Sequence, residues 1–104
     1  MKILFDQGTP APLRSELPRH IVATAFEKGW AALSNGDLLA KAEQEFDLLL
    51  TTDQNLRYQQ NLANRRIAIL VLPTTSWPKI QSHAREIAGA VDQIKAGAYV
   101  VLSW

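Results

Sequence analysis

The apolar positions of the chain fall into two patterns. Unbroken runs at Ile3-Leu4-Phe5, Leu48-Leu49-Leu50 and Ile67 to Leu72 lack the alternation of a strand with one wet face, so each predicts a strand buried on both sides. Elsewhere the spacing is three and four. Leu38, Leu39, Ala42 and Phe46 predict a helix over about Asn35 to Glu45. Trp77, Ile80, Ala84, Ile87, Ala88, Val91 and Ile94 predict one long helix from Ser76 to Gly97. The polar and turn-forming residues punctuate these runs. Asp6-Gln7-Gly8-Thr9-Pro10 closes the first strand, Pro10 and Pro12 open a short helix through Leu17, and Pro18 stops it. His20 to Thr24 predicts a weaker second strand, Asp47 to Thr51 the third, Arg66 to Leu72 the fourth and Ala98 to Leu102 the last. A polar helix is expected from Thr52 through about Ala63, and Ser34 with Asp37 has the spacing of a capping box. Short strands alternating with helices predict an α/β sandwich with a largely parallel central sheet, formed as one domain over residues 1–104.

Composition narrows the classes. With 47% hydrophobic and 20% charged residues, disordered and collagen-like chains are excluded. Eleven Lys and Arg against ten Asp and Glu give a net charge of +1, which argues against indiscriminate coating of nucleic acid but leaves room for a local basic patch. The absence of cysteine removes disulfides, thiolate metal sites and cysteine nucleophiles. No apolar run is long enough to span a membrane, and the stretch after Met1-Lys2 is too short for a secretory signal, so a cytoplasmic protein with no membrane partner is expected.

In parallel sheets, ligands bind beyond the carboxyl ends of the strands. Asp6-Gln7 follows the first strand and Asp53-Gln54-Asn55 the third, while Asp37 begins the intervening helix. Three carboxylates with an amide oxygen, and neither His nor Cys, make the ligand set of Mg²⁺ or Mn²⁺ rather than zinc. Such a site suits phosphodiester chemistry, in which the cation activates water and stabilises charge on the phosphate. Each residue also has a structural explanation: Asp6 as a turn former, Asp53 as a helix N-cap, Asp37 as part of the capping box. Arg57, Arg65 and Arg66, interleaved with Tyr58, Gln59, Gln60, Asn61 and Asn64, form the most polar and basic segment, suited either to a nucleic-acid backbone or to an exposed helix face. His20 and His83 have no evident partner and read as structural or solvated, and Trp30, Trp77 and Trp104 read as packing anchors. The phosphate-cradling patterns G-x-x-x-x-G-K-[ST] and G-x-G-x-x-G are absent.

Taken together, Ile3 to Gln7 with Pro10, then Gly29-Trp30, Asn35 to Leu39 and Phe46 to Leu56, resemble the small bacterial PIN-like family related to VapC-type toxins. The resemblance continues through the Ile67 to Leu72 strand and Trp77-Pro78, and so spans nearly the whole chain. It implies a PIN-like three-layer α/β/α fold with Mg²⁺- or Mn²⁺-dependent endoribonuclease activity on RNA. It further implies a cognate antitoxin as partner in a type II toxin–antitoxin pair, and association into a homodimer. By the same resemblance Asp6, Asp37 and Asp53 are the catalytic and metal-holding acids, and Asn55 stands where a fourth acid or its polar substitute is found. Asn55 is an amide, Gly8 replaces a more usual polar residue, and the chain is shorter than many VapC toxins. Fewer negative ligands weaken metal binding. A second expectation is therefore a PIN-like module, weak or inactive in catalysis, that binds a partner protein or RNA. A third, a receiver-like phosphoacceptor, calls for a lysine beyond a late strand, and Val71 to Thr75 supplies none.

Overall fold

The computed structural model describes residues 1–56 and 65–104. The apolar runs form strands β1 (Lys2–Phe5), β2 (Ile21–Thr24), β3 (Leu48–Thr51), β4 (Ala68–Val71) and β5 (Tyr99–Val101). They assemble into a five-stranded sheet of order β2-β1-β3-β4-β5 in which every neighbouring pair is parallel. The uninterrupted runs occupy the interior of the sheet: β3 and β4 are buried throughout, and β1 from Ile3 onward. β2 and β5 form the edges, where Ile21 and Val101 are exposed.

Successive strand residues point to opposite faces, which separates the apolar residues into two cores. On one face Ile3, Phe5, Leu48, Leu50 and Leu70 meet Leu13 of a 3₁₀ helix (Ala11–Glu16) and Ile80, Ile87 and Val91 of helices α2 (Trp77–Ser82) and α3 (Ala84–Gln93). On the other, Leu4, Leu49 and Ile69 meet Leu38, Leu39 and Ala42 of helix α1 (Asn35–Glu43), together with Leu56. The class is α/β with helices on both faces of a parallel sheet. The connection from β1 runs toward one edge of the sheet and that from β4 toward the other, yet both cross the same face. They therefore have opposite hands, and one departs from the right-handed crossover that parallel strands normally use.

Two expectations are corrected. The stretch from Ser76 to Gly97 is not one helix: it breaks at His83, where φ is −110° and ψ 18°. Ile80, Ile87 and Val91 all enter the same core on either side of the break, so the apolar spacing carries no trace of it. At the break the His83 ring stacks on Trp104, with centroids 4.2 Å apart and planes 5° from parallel, and its Nδ1 lies 3.0 Å from Glu86 Oε1. His20 also has partners: Nδ1 lies 3.0 Å from the Met1 amino group and Nε2 3.0 Å from Asp92 Oδ1, a link from the start of β2 to α3 that spans 72 positions of chain. The polar helix expected after Thr52 falls beyond Leu56 outside the described residues, as does Arg57. Among the described residues no helix is long and apolar enough to cross a membrane.

Candidate functional site

The chain leaves β1 toward the face carrying the 3₁₀ helix, whereas after β3 it turns to the other face, where Leu56 packs. Adjacent strands whose continuations part in this way open a crevice at their carboxyl ends. Asp6 and Asp53 both stand there.

Asp6 is held as if it were one more residue of β1: its amide donates to the Leu50 carbonyl at 3.0 Å. Its side chain turns inward and is only 8% exposed. Oδ1 accepts from the Thr9 hydroxyl at 2.7 Å, Oδ2 accepts from the Thr51 hydroxyl, and the backbone N–H groups of Gly8 and Thr9 also donate to the carboxylate. Burial nevertheless pushes the Asp6 carboxyl above the usual aspartate range, because these neutral donors offset only part of the lost hydration. Proton counting points the same way. Thr9 Oγ1 faces two acceptors, Asp6 Oδ1 at 2.7 Å and the Leu50 carbonyl at 3.0 Å, with a single hydroxyl proton. Protonated Asp6 can donate to Thr9 and leave that proton for Leu50, whereas ionised Asp6 leaves the two acceptors in competition.

Thr51 couples the two acids. Its hydroxyl donates to Asp6 and accepts from the Asp53 N–H at 3.0 Å. Asp53 Oδ1 accepts from the Asn55 backbone N–H at 2.9 Å, an Asx turn, and Oδ2 accepts from the Asn35 side-chain amide. The two loops approach each other at Gly8, where an added Cβ would crowd the Thr52 hydroxyl. Gln7 braces the β1 loop by donating to the carbonyls of Ala31 at 2.9 Å and Leu33 at 3.3 Å.

The remaining candidates are placed elsewhere. Asp37 is exposed and meets Ser34 through its backbone N–H at 3.3 Å, so the first turn of α1 offers Asp53 an amide, Asn35, in place of a third carboxylate. Asn55 is exposed, and its backbone N–H is what reaches Asp53. Among the described residues no three His, Cys, Asp or Glu side chains converge as a metal-ligand group. Arg65 and Arg66 precede β4 and lie at the opposite, amino edge of the sheet, where Arg65 Nη1 binds Glu43 Oε2 at 2.7 Å. Trp30 is more than a packing anchor: Lys28 Nζ stands 5.1 Å and Lys41 Nζ 6.0 Å from its ring centre. Thr9, Thr51 and Asn35 were not singled out in the sequence, although each lies within three residues of an aspartate that was.

The site thus defines a parallel α/β domain with a hydroxyl-linked acid pair at the crevice between its central strands. Comparison with protein-family models, with curated proteins and with solved structures gave no match.

Proposed function

We propose that the chain is a PIN-like, metal-dependent endoribonuclease. One observation carries the reading: Asp6 and Asp53 stand beyond the carboxyl ends of neighbouring parallel strands, joined through Thr51, and among the described residues neither takes part in an ion pair. The donor set is all oxygen, and Mg²⁺ is commonly held by one or two carboxylates with water and substrate phosphate completing its shell, so two acids fit the cation without Asp37. When bound, Mg²⁺ or Mn²⁺ supplies charge stabilisation at the phosphate and lowers the pKa of water. Asp6 and Asp53 would hold it. Thr9 and Thr51 fix the Asp6 oxygens, and the Asn35 amide orients Asp53, the supporting role that partners of metal ligands usually play. Arg65 and Arg66 stand at the far edge, away from the acid pair.

The toxin role, with an antitoxin partner and a homodimer, extends the reading on sequence resemblance. A second reading, a module that binds RNA or a partner protein without cutting, is favoured by the Asn35 amide beside Asp53. Cleavage of a mixed single-stranded RNA separates the two. With Mn²⁺ the wild type should cut, while EDTA, Asp6→Asn and Asp53→Asn should each bring cleavage to background. Cutting that persists in both folded variants rejects the acid pair as its source, and a folded wild type that binds RNA without cutting establishes the second reading.

A further inference from the structure

The carboxyl edge carries another feature that the acid pair does not use. An open pocket of about 560 Å³ lies between the loops that follow β1 and β2, with Asp6 and Thr9 on one side and Phe26 on the other. Pro10 and Ala11 add apolar wall, and Arg14 a guanidinium. Phe26 is 83% exposed, the most exposed of the large hydrophobic residues among those described. A solitary exposed apolar residue is ordinarily unremarked. Here, however, the turn that presents the ring is tied at several points. Ala25 N–H donates to the Phe5 carbonyl at 2.8 Å, and Trp30 N–H to the Ala25 carbonyl at 2.8 Å. The residues flanking Phe26 close a reciprocal pair, Thr24 N–H to Glu27 Oε1 at 2.9 Å and Glu27 N–H to Thr24 Oγ1 at 3.1 Å. Arg14 then grips the same Glu27 carboxylate with both terminal nitrogens, and its hydrogen bond holds that carboxyl below the usual glutamate range. The backbone beneath an exposed aromatic face is thereby fixed before any ligand arrives, which lowers the ordering cost of binding.

We infer that this pocket receives an unpaired nucleobase, stacked on Phe26, from a strand whose backbone passes the crevice where Asp6 and Asp53 would hold a divalent cation. The inference rests on the nuclease reading for the course of the strand. The chemistry matches the walls. A base offers a π-face to the ring whatever its identity, and stacking on one aromatic side chain contributes about 1–3 kcal/mol. A duplex hides those faces, so the pocket selects single strands.

The test uses short single-stranded RNA and DNA of one sequence, each carrying 2-aminopurine, titrated with the full chain in Ca²⁺, an oxygen-binding cation that offsets the repulsion between phosphate and carboxylate. Quenching of the fluorescent base is expected on binding to the wild type. Phe26→Ala should weaken binding roughly 5- to 150-fold, the same 1–3 kcal/mol expressed as a ratio. Phe26→Tyr should restore it, and Phe26→Leu should not. Because the ring is exposed, all three variants should melt with the wild type. Binding of RNA, of DNA or of both with this dependence supports the pocket and identifies the strand. Equal binding by Phe26→Ala, equal binding of an oligonucleotide lacking bases, or no binding of either strand overturns it. Cleavage in Mn²⁺, measured in parallel, keeps the two readings apart. Phe26-dependent binding without cleavage keeps the pocket and removes the nuclease, whereas cleavage indifferent to Phe26 does the reverse.

Discussion

At the amino edge of the sheet, Arg65 binds Glu43 at 2.7 Å, Lys28 binds Glu45 at 2.6 Å, and Asp47 accepts from the Lys2 amide at 2.8 Å, all within reach of water. The Lys28 hydrogen bond holds Glu45 below the usual glutamate range. At the carboxyl edge the arrangement is inverted. Asp6 is buried, surrounded by hydroxyls and backbone N–H groups, and pushed above the usual range. Glu43 and Glu45 are neutralised by the protein's own cations, whereas Asp6 lies where its ionised form is costly and is offered only neutral donors. A carboxylate kept in that condition reduces stability, and such local conflicts concentrate where a fold binds something. A divalent cation would supply the missing charge.

The largest effect should come from the residue that joins the acids. Thr51→Val keeps the shape of the side chain and removes the hydroxyl, leaving Asp6 Oδ2 and the Asp53 N–H each without the partner they have now. A cost of about 1–3 kcal/mol is expected for buried groups so stranded. Thermal melting should show a drop of about 4–8 °C per kcal/mol for a domain of this size, with Thr51→Ser close to wild type. If the valine variant melts with the wild type, Thr51 does not couple the edge.

The next effect runs in the opposite direction. Aspartate ionises near pH 3.9 in the unfolded chain, and in the folded chain Asp6 stays neutral to higher pH. Between those two values the folded state holds more protons, so stability falls as pH rises through the window and stays low above it. In EDTA, Asp6→Asn should therefore melt a few degrees above the wild type at pH 7–8 and lose that advantage near pH 3–4. Adding Mn²⁺ at pH 7 should raise the melting temperature of the wild type and leave the variant unmoved, a readout independent of catalysis. An asparagine variant less stable than wild type at pH 7 in EDTA would show that burial of the charge is not what this edge tolerates.

How much of this was legible in the sequence depends on distance along the chain. The interior strands were, because Leu48 to Leu50 and Ile69 to Leu72 are apolar at every position, and a strand covered on both faces demands that. The break at His83 was not, since both halves of the interrupted helix face one core. Within the site, the two strand-end aspartates could be named because position after a buried parallel strand is itself the signal. Their relation could not. The register pairs Phe5 with Leu50, which sets Thr51 abreast of Asp6 and carries Asp53 two residues further out. A reader of the sequence aligns aspartate with aspartate; the ladder aligns aspartate with threonine. Asp37 shows the complementary displacement. Helical phase turns it to solvent while Asn35, two positions earlier, faces Asp53. The arginines are set apart from the acids for a third reason: Arg65 is twelve residues from Asp53 in sequence but stands beside Gly97 and Glu43 at the far edge.

The smallest effect belongs to that far edge and is the control for the comparison. Glu43 and Arg65 have side chains 28% and 23% exposed, so water screens both members of the pair. Glu43→Gln keeps the size and polarity of the side chain and removes its charge. For a pair so placed the cost should stay under about 1 kcal/mol. It should also shrink between 0.05 and 1 M salt, about 1 M being where the screening length is near 3 Å. The same salt series should leave the Thr51→Val deficit nearly constant, because the groups it strands are out of the solvent. Chemical denaturation at both salt concentrations reads the two variants side by side. A Glu43→Gln loss as large as that of Thr51→Val, and equally deaf to salt, would mean that charge is buried at both edges, and the carboxyl edge would lose the distinction on which its assignment as the functional end depends.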